Sequence, residues 1–483
     1  MATISSAFDL IASALDADQS ALSIVANNVA NANTAGYTRE VPNWQENAPI
    51  EIDGVSYGTG VTQTGPTSVR DAVLEERLTQ QQQLASASSA RLTALNALQA
   101  VFPPDSGSSS STAGDIGSDL TGFFDSFSSL EANPTDNALR QQVLSTASTL
   151  AGDISNAAAN LNSQRSALDQ EASSVTGQVN SLINSIAQLN QQIQSTSANS
   201  DAGTLEDQRN QDISQLSQLV GINQITTDGN GLSLTTTSGQ LLVSGESSQQ
   251  LTSGVVNGAT HFYLGEVDIT SQLESGGGQL GGDLTARDQD IPNALASLDQ
   301  LAYSVATTVN AQNNAGTDLD GNEGTGTNAN GVAGTGSTPL YIFTEPAQIT
   351  GSALAMSVVM TDPNQIAAAS FGNQNGDASN AVLMANLASQ MTVQGQTPSN
   401  YYAQFVSQLG STVSEVQNEN TAQNASVTQL QTQISSTSSV NLNDEAASLQ
   451  QFERSYQAAS EVFTVLNTVM ASALNLGVQT AVS

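Results

Sequence analysis

Apolar residues near the N-terminus recur at alternating steps of four and three residues. This spacing is typical of a coiled coil, because it keeps one apolar row against a partner helix. Asp18 interrupts the row once, and an Asn-rich stretch closed by Gly36 is expected to end the helix, since Asn and Gly are poor helix formers. The N-terminal row consists of Ile4, Phe8, Ile11, Leu15, Leu22, Val25 and Val29.

The C-terminus carries a matching row, with Glu445 at its one polar position. Because the two cleanest rows lie at opposite ends of the chain, we predict that the terminal helices pair into one coiled coil. Burial of a large side chain contributes about 1.5 to 3 kcal/mol, whereas ordering costs about 1 to 2 kcal/mol per residue. We therefore predict that the free monomer orders its ends poorly and needs neighbouring subunits. The C-terminal row consists of Leu442, Leu449, Phe452, Tyr456, Ala459, Phe463, Leu466, Met470 and Ala473.

The pattern between the ends predicts further helices. The rows at 143–161 and 175–193 are interpreted as two antiparallel helices, and those at 405–416 and 427–434 as two final helices. The Ser-rich run from Asp105 to Gly114 is expected to be a flexible link. The complete set of predicted middle helices covers residues 74–95, 143–161, 175–193, 213–219, 295–309, 405–416 and 427–434.

Strands are predicted in three places. A period of two between Ile222 and Leu273 indicates a small antiparallel β module, and Asp53-Gly54 indicates a hairpin turn. Two runs, 340–343 and 354–360, are interpreted as strands of an inserted domain. The predicted fold is mainly α with β insertions, elongated and multidomain. Its units are 1–40 (N-terminal coiled-coil half), 41–315 (helical middle domain with a β module near 222–275), 316–375 (β-rich outer domain), 376–439 (returning helices) and 440–483 (C-terminal coiled-coil half).

Charge narrows the possible partners. The chain has nine basic and 44 acidic residues, a formal charge of -35, and all nine basic residues are arginine. Such a polyanion repels nucleic acid and anionic lipid, so its expected partners are itself, similar proteins or cations. Neither a cleaved signal peptide nor a membrane span is expected, because acidic residues interrupt the N-terminal apolar stretch. The absence of cysteine excludes disulfides and thiolate chemistry.

Candidate chemistry is sparse. The stretch from Asp318 to Asn322 has the oxygen spacing of a calcium loop, but Glu323 and Ala329 replace the required glycine and bidentate glutamate. We interpret the stretch as a turn, with a metal site as the alternative. The only histidine, His261, has no adjacent nucleophile or orienting partner in the sequence, and no nucleophile elbow or phosphate loop is present. We therefore predict no catalytic residue, no metal and no cofactor.

Residues 25–39, VANNVANANTAGYTR, resemble the N-terminal signature that flagellar rod, hook and hook-associated proteins share. The run from Val440, VNLNDEAASLQQFERSYQAASEVF, is similar to the hook-associated protein 1 family in particular. Two internal runs, which begin at Leu205 and Leu280, agree with that family. The signature residues at the family spacing are Asn27, Asn28, Asn31, Thr34, Gly36 and Tyr37.

The resemblance implies a structural subunit of the bacterial flagellum at the junction of hook and filament. Such a subunit is extracellular, leaves the cell through the flagellar type III apparatus and is not an enzyme. It polymerises through its terminal helices, so the signature residues and both apolar rows form the expected assembly interface. The implied partners are other copies of the chain, the hook protein, the next hook-associated protein and a cytoplasmic chaperone on the C-terminal helix. Two alternatives stay open: a hook or distal rod subunit, and an acidic extracellular calcium-dependent adhesin or binding module.

Overall fold

The computed structural model describes residues 2–52, 54–103, 115–196, 202–227, 231–256, 258–373 and 375–479. These residues are mainly helical with small antiparallel sheets, which confirms the predicted fold class. The helices are α1 (Ala2–Asn31), α2 (Ala72–Gln99), α3 (Ile116–Ala132), α4 (Asn137–Thr196), α5 (Thr204–Leu219), α6 (Thr270–Glu274), α7 (Gly278–Thr285), α8 (Ile291–Asn313), α9 (Ser352–Ala355), α10 (Ser379–Asn386), α11 (Pro398–Ser438) and α12 (Leu442–Gln479).

A β-hairpin follows α1. Its long strands, β1 (Glu40–Glu46) and β4 (Val61–Ser68), pair antiparallel from Glu40 and Ser68 to Glu46 and Val61. Within it, β2 (Ile50–Ile52) pairs with β3 (Val55–Tyr57). Gly54 has φ 78, a left-handed conformation that favours glycine, as expected for the predicted hairpin. Its neighbour Asp53 and the predicted link from Asp105 to Gly114 lie outside the described residues.

The predicted antiparallel helices at 143–161 and 175–193 are wrong, because α4 is one continuous helix of 60 residues. The stretch 162–174 between the two rows contains neither Gly nor Pro, so nothing in it breaks a helix. The apolar side chains of the two rows are buried in different clusters. Those of 143–161 join an apolar cluster with α3 and α8, and those of 175–193 join a second cluster with α5 and the β module. One rigid helix therefore connects two cores.

Two other helices differ from expectation. The rows at 405–416 and 427–434 belong to the single helix α11, since 417–426 also lacks Gly and Pro. The sequence reasoning missed α3, although a capping residue and apolar side chains mark it. Asp115 caps α3 by accepting from the backbone of Gly117 and Ser118. Its buried face comprises Ile116, Leu120, Phe123, Phe124, Phe127 and Leu130.

The β module is present near the predicted position and consists of two antiparallel sheets. One sheet has four strands in the order β5-β6-β7-β8, and the other has three in the order β11-β10-β9. Both contribute buried side chains to the cluster that surrounds the second half of α4. The strands are β5 (Ile222–Thr227), β6 (Gly231–Thr236), β7 (Leu241–Ser244), β8 (Ser247–Ser248), β9 (Leu251–Val256), β10 (Ala259–Leu264) and β11 (Val267–Asp268).

The strands predicted at 340–343 and 354–360 do not form. An isolated bridge joins Phe343 to Val358, and the short helix α9 occupies 352–355. Side-chain amides replace a strand partner here: Asn310 of α8 accepts from the backbone N–H groups of Ile342 and Phe343. Elsewhere in the described part of 316–375, β12 (Gly316–Thr317) pairs with β13 (Ala369–Ser370), and isolated bridges join Thr317 to Glu323 and Thr327 to Ala333. The domain boundaries proposed above stay predictions.

Arg140 of α4 fixes the segment around residue 366 to the helical core. Its guanidinium is 1% exposed and donates to the carbonyls of Pro134 (2.8 Å) and Ile366 (2.6 Å). Burial lowers its pKa, with Asp318 and Asp320 opposing that change. An unpaired buried donor is costly, and bonds to a charged group are worth about 1.5 to 3 kcal/mol each. The Arg140 guanidinium therefore holds the segment around residue 366 against α4.

Arg140→Ala is expected to lower the free energy of unfolding by about 3 kcal/mol, through lost hydrogen bonds and a cavity. Urea unfolding followed by circular dichroism measures this change. Arg165→Ala serves as the matched control, because Arg165 lies on the same helix and is only half-buried. A loss below about 1 kcal/mol for Arg140→Ala, or an equal loss for both variants, would contradict the assigned role.

Candidate assembly site at the paired chain termini

The two terminal helices pack against each other in antiparallel orientation. Phe8 of α1 meets Phe463 of α12 edge-on, with ring centroids 5.3 Å apart. At the other end of the pair, Asn28 meets Glu445. Neither of the two apolar clusters of the core includes a residue of α1 or α12. The predicted pairing of the ends is therefore present, and it forms a unit outside the main core.

The predicted N-terminal row lies largely in this contact. Val25 is buried, and Val29 is exposed. Nothing is described of the Ile4 side chain. The row's half-buried members are Phe8, Ile11, Leu15 and Leu22.

The predicted C-terminal row divides between two faces. Leu442, Leu449 and Tyr456 are exposed, so the coiled coil does not cover them. Phe452 packs edge-on against Trp44 of β1, with centroids 5.9 Å apart, so the hairpin covers one side of the pair. The half-buried members are Phe452, Ala459, Phe463, Leu466 and Met470.

A hydrogen-bonded group at the base of the coiled coil, here called the terminal clasp, comprises Asn28, Tyr37, Arg39, Glu40 and Glu445. Asn28 is 1% exposed and lies at its centre. Its Nδ2 donates to the Glu40 carbonyl (2.8 Å) and to Glu445 Oε2 (3.1 Å). Its Oδ1 accepts from the Tyr37 hydroxyl (2.8 Å) and the Glu40 N–H (3.0 Å). One signature asparagine thus holds α1, β1 and α12 together.

Glu445 completes the clasp from the C-terminal side. It is 1% exposed, and its Oε1 accepts from Arg39 Nε at 2.7 Å. The Arg39 backbone N–H also donates to the Ser438 carbonyl at 2.9 Å, just before α12 begins. Because a buried carboxylate needs such partners, the single polar position in the C-terminal row has a structural cause. Glu445 and Arg39 were not among the predicted site residues.

The other signature residues end α1. Asn31 donates to Asn27 Oδ1 at 2.8 Å, and Thr34 donates to Asn31 Oδ1 at 3.2 Å. Gly36 has φ 81, a left-handed conformation that a side chain disfavours. The chain can therefore reverse after α1 and bring Tyr37 back onto Asn28. Burial, followed by the charge of Glu40, raises the pKa of Tyr37, which keeps its hydroxyl a donor.

Asp18 destabilises the coiled coil. Its side chain is 7% exposed, and in the described part of the chain Oδ2 has no hydrogen-bond partner. A buried carboxylate oxygen without a partner opposes burial. The interruption seen in the sequence thus lowers the stability of the pair.

Arg70 connects the terminal clasp to the helical region. It donates to Glu206 (2.9 Å) and to Asp207 (2.6 Å), both on α5. The other oxygen of Asp207 accepts from the Thr38 N–H at 3.0 Å. The sequence contains no motif that predicts this contact. The small number of arginines was the only indication that Arg70 has a structural role. Glu75 of α2 lies beside the group, and burial raises its pKa to about 7.

Two other carboxyl groups share this elevated pKa. Burial, assisted by the hydrogen bond that protonated Asp119 donates to Asp153, raises the pKa of Asp119 to about 7. Burial and the nearby charge of Glu171 raise the pKa of Asp283 to about 7. In all three groups the folded pKa exceeds the ordinary carboxyl value, so the folded chain holds protons that the unfolded chain releases. Stability therefore falls as pH rises from about 4.5 through 7.

The melting temperature is expected to be higher at pH 5 than at pH 8 by roughly 3 °C or more, given about 1.4 kcal/mol per pKa unit. Calorimetry at both pH values measures the difference. The triple variant Glu75→Gln, Asp119→Asn, Asp283→Asn is the control, because general charge repulsion persists in it. An unchanged pH slope in the triple variant would contradict the assignment to these groups.

The residues considered for metal binding and catalysis have local roles. Asp318 accepts from the backbone N–H (2.7 Å) and the side chain (3.0 Å) of Asn322, which forms a closed turn. Within the described ranges, no three His, Cys, Asp or Glu side chains are placed to hold a metal ion. His261 does have an orienting partner that the sequence reasoning missed, Asp268 at 2.7 Å. Thr270 donates its hydroxyl to Asp268 and not to the histidine, so the three do not form a nucleophile and base pair.

No helix in the described part of the chain combines the length and apolarity that a membrane crossing requires.

Comparisons with known proteins agree with this arrangement. Residues 106–327 match the family described as flagellar hook-associated protein FlgK helical domain. Residues 9–38, which contain most of α1 and most of the signature, match the family described as flagella basal body rod protein. The first match covers all of α4 and the β module, and the second covers most of the N-terminal half of the coiled coil.

Similar proteins span the chain almost from end to end. Flagellar hook-associated protein 1 of Escherichia coli (strain K12) is 27% identical over 96% of this chain and 98% of its own length. The protein of the same name from Bacillus subtilis (strain 168) is 26% identical, with 96% of each chain covered. The solved flagellar hook junction protein FlgK from Burkholderia pseudomallei has the same fold, with a TM-score of 0.61 and 20% identity over 74% of this chain and 99% of that chain. Over nearly its whole length, the chain is therefore similar to proteins called flagellar hook-associated protein 1.

Proposed function

We propose that this chain is a structural subunit of the bacterial flagellum that joins hook to filament and polymerises through α1 and α12. The observation that carries the proposal is a second apolar row on α12. Val462, Val465 and Val469 are 50%, 60% and 49% exposed, and their spacing of three and four residues puts them on one helix face. A helix that is apolar on two faces is suited to burial between neighbours.

The paired helices cover only one of these faces. In a polymer, helices of adjacent copies cover the other, so assembly supplies the burial that the monomer lacks. The predicted interface residues left exposed in the single chain fit this role: Val29, Leu442, Leu449 and Tyr456. The buried signature residues have a different task, because the terminal clasp fixes the relative position of the two helices. The mechanism is mechanical and needs no catalytic group.

The remaining partners follow from the family. The subunit contacts hook protein on one side and the next hook-associated protein on the other, outside the cell. Before export, a cytoplasmic chaperone covers the exposed row of α12. Export uses the flagellar type III apparatus, as the resemblance to flagellar axial proteins implies. The names of the relatives support a contact with the hook, and the apolar row of α12 gives a reason for a chaperone.

The hook or distal rod alternative shares only the N-terminal segment. The match to a rod protein covers residues 9–38, whereas the relatives called hook-associated protein 1 extend over 96% of the chain. The calcium-dependent adhesin is less well supported, because the Asp318 carboxylate already accepts hydrogen bonds from the backbone and side chain of Asn322. The junction subunit is therefore the function best supported.

Electron microscopy of a strain that lacks the gene tests the proposal. The expected picture is hooks without filaments, with flagellin in the medium, and the wild-type chain is expected to restore filaments. Strains without hooks would contradict a junction role and favour a rod or hook subunit. Normal filaments in the deletion strain would contradict any axial role.

A further inference from the structure

Positive charge is scarce, and most of it is used inside the chain. Three of the nine arginines, Arg77, Arg165 and Arg454, make no ion pair or side-chain hydrogen bond within the described ranges. Among the described residues, they are the arginines without a partner inside a chain of formal charge -35. The arginines with partners in the structure are Arg39, Arg70, Arg91, Arg140, Arg209 and Arg287.

Arg454 is the only basic residue of either terminal helix. It is exposed, and its neighbours one helical turn away are uncharged, so α12 offers it no internal partner. Those neighbours are Gln450, Gln451, Gln457 and Ala458.

The open face of α1 carries the opposite charge. Asp9 and Asp16 are exposed on this face, with Ala12 between them, and α1 has no basic residue to pair with them. A small alanine at this position allows a second helix to approach closely. The same is true of Ala458, one turn after Arg454.

Position along the coiled-coil axis distinguishes the two carboxylates as partners for Arg454. The contacts of Phe8 with Phe463 and of Asn28 with Glu445 fix the alignment of α1 and α12. Arg454 stands at the midpoint between Glu445 and Phe463 along α12. Asp16 stands within one helical turn of the midpoint between Phe8 and Asn28 along α1, whereas Asp9 lies near the end. Arg454 and Asp16 of one chain are therefore level, and the same holds between two copies that stand side by side at equal height.

We propose that Arg454 of one copy binds the Asp16 carboxylate of the adjacent copy, and that this ion pair sets the register of the terminal helices in the polymer. The inference rests on the proposed function and names the residues that recognise the second copy. Two neighbouring coiled coils present mainly acidic and neutral faces to each other, and like charge opposes their packing. A single cation level with a single carboxylate favours one register and disfavours displaced ones.

Cross-linking in this cysteine-free chain tests the contact directly. Two differently tagged chains, one with Asp16→Cys and one with Arg454→Cys, are expressed together in a strain lacking the native gene. Flagella are treated with a short thiol-specific bifunctional cross-linker, because an arginine–aspartate ion pair holds the two backbones further apart than a disulfide can bridge. Each chain has one cysteine, so a cross-linked heterodimer reports only contact between copies. Asp9→Cys replaces Asp16→Cys as the control, because it lies about 10 Å further along the helix. We expect at least tenfold more heterodimer with Asp16→Cys; equal yields from incorporated chains would overturn the proposal.

Charge reversal gives a second, independent readout. Arg454→Asp and Asp16→Arg are each expected to lower the amount of subunit in purified flagella at least fivefold, while the double variant recovers to within twofold of wild type. Single variants that incorporate normally, or a double variant that does not recover, would overturn the ion pair alone. A wild-type chain that fails to restore filaments would remove the proposed function itself. Circular dichroism of each purified chain shows that the exposed substitutions leave the fold intact.

Discussion

Glu445→Ala is expected to detach α12 from the N-terminal signature and to abolish incorporation into flagella. The substitution removes the acceptor of the Arg39 Nε–H and one of the two acceptors of Asn28 Nδ2, which keeps its bond to the Glu40 carbonyl. Loss of one member of a buried, hydrogen-bonded charged group costs about 2 to 3 kcal/mol here, because Arg39 keeps some access to solvent. Amide hydrogen exchange is expected to accelerate at least tenfold along α12 and not along α4.

Two variants control this experiment. Glu445→Gln keeps the size of the side chain and one acceptor oxygen, so an intermediate effect is expected. Glu453→Ala removes an exposed carboxylate of the same helix, and no change in exchange is expected. If Glu445→Ala leaves α12 as protected as in the wild type, the terminal clasp does not hold the two helices together.

Phe463→Asp is expected to separate the upper part of the coiled coil while the rest of the chain stays folded. The phenyl ring packs edge-on against Phe8, and a carboxylate in its place has no partner. The expected loss is about 2 to 4 kcal/mol for the helix pair, below the cost at a fully buried site. Leu15→Asp should act in the same way. Neither apolar cluster of the core contains a residue of the terminal helices, so the main unfolding transition should not move.

Val465→Asp is expected to prevent assembly without changing the fold of the monomer. Its side chain is 60% exposed, so the monomer is expected to keep wild-type exchange rates. Incorporation should nevertheless fail, because the carboxylate would lie between adjacent copies. Wild-type motility and filament retention in both Phe463→Asp and Val465→Asp would show that neither face of α12 is needed in the flagellum.

Periodicity made the ends of the chain predictable. A row of large side chains at steps of four and three residues specifies a helix with one apolar face. The helices that carry the two terminal rows pack against each other. The change to a period of two likewise located the β module. In these places each residue contributes through its position in a repeat, which the sequence displays directly.

Other parts depend on contacts that no repeat announces. The row at 143–161 and the row at 175–193 face different cores, and the sequence alone does not show that one straight helix can serve both. Residues 340–360 satisfy their backbone through Asn310 on a distant helix, so their apolar spacing suggested strands that do not form.

The candidate site divides in the same way. The signature identified Asn28 and Tyr37, but their partner Glu445 stood out only as an interruption in an apolar row. Its role depends on the antiparallel alignment of α1 and α12, which brings residues 417 positions apart into contact. The partners of Arg70 are also distant in the sequence, since Glu206 and Asp207 lie on α5. Such charged groups become visible only when the fold is known.

Hydrogen exchange of the same chain as a free monomer and in purified flagella tests the central claim, that neighbouring copies complete the burial of the terminal helices. In the monomer, amides of α1 and α12 are expected to exchange at least tenfold faster than those of α4. In flagella, the terminal helices should become as protected as α4, while the protection of α4 changes little. Terminal helices already as protected as α4 in the monomer, or no slower to exchange in flagella, would contradict the account.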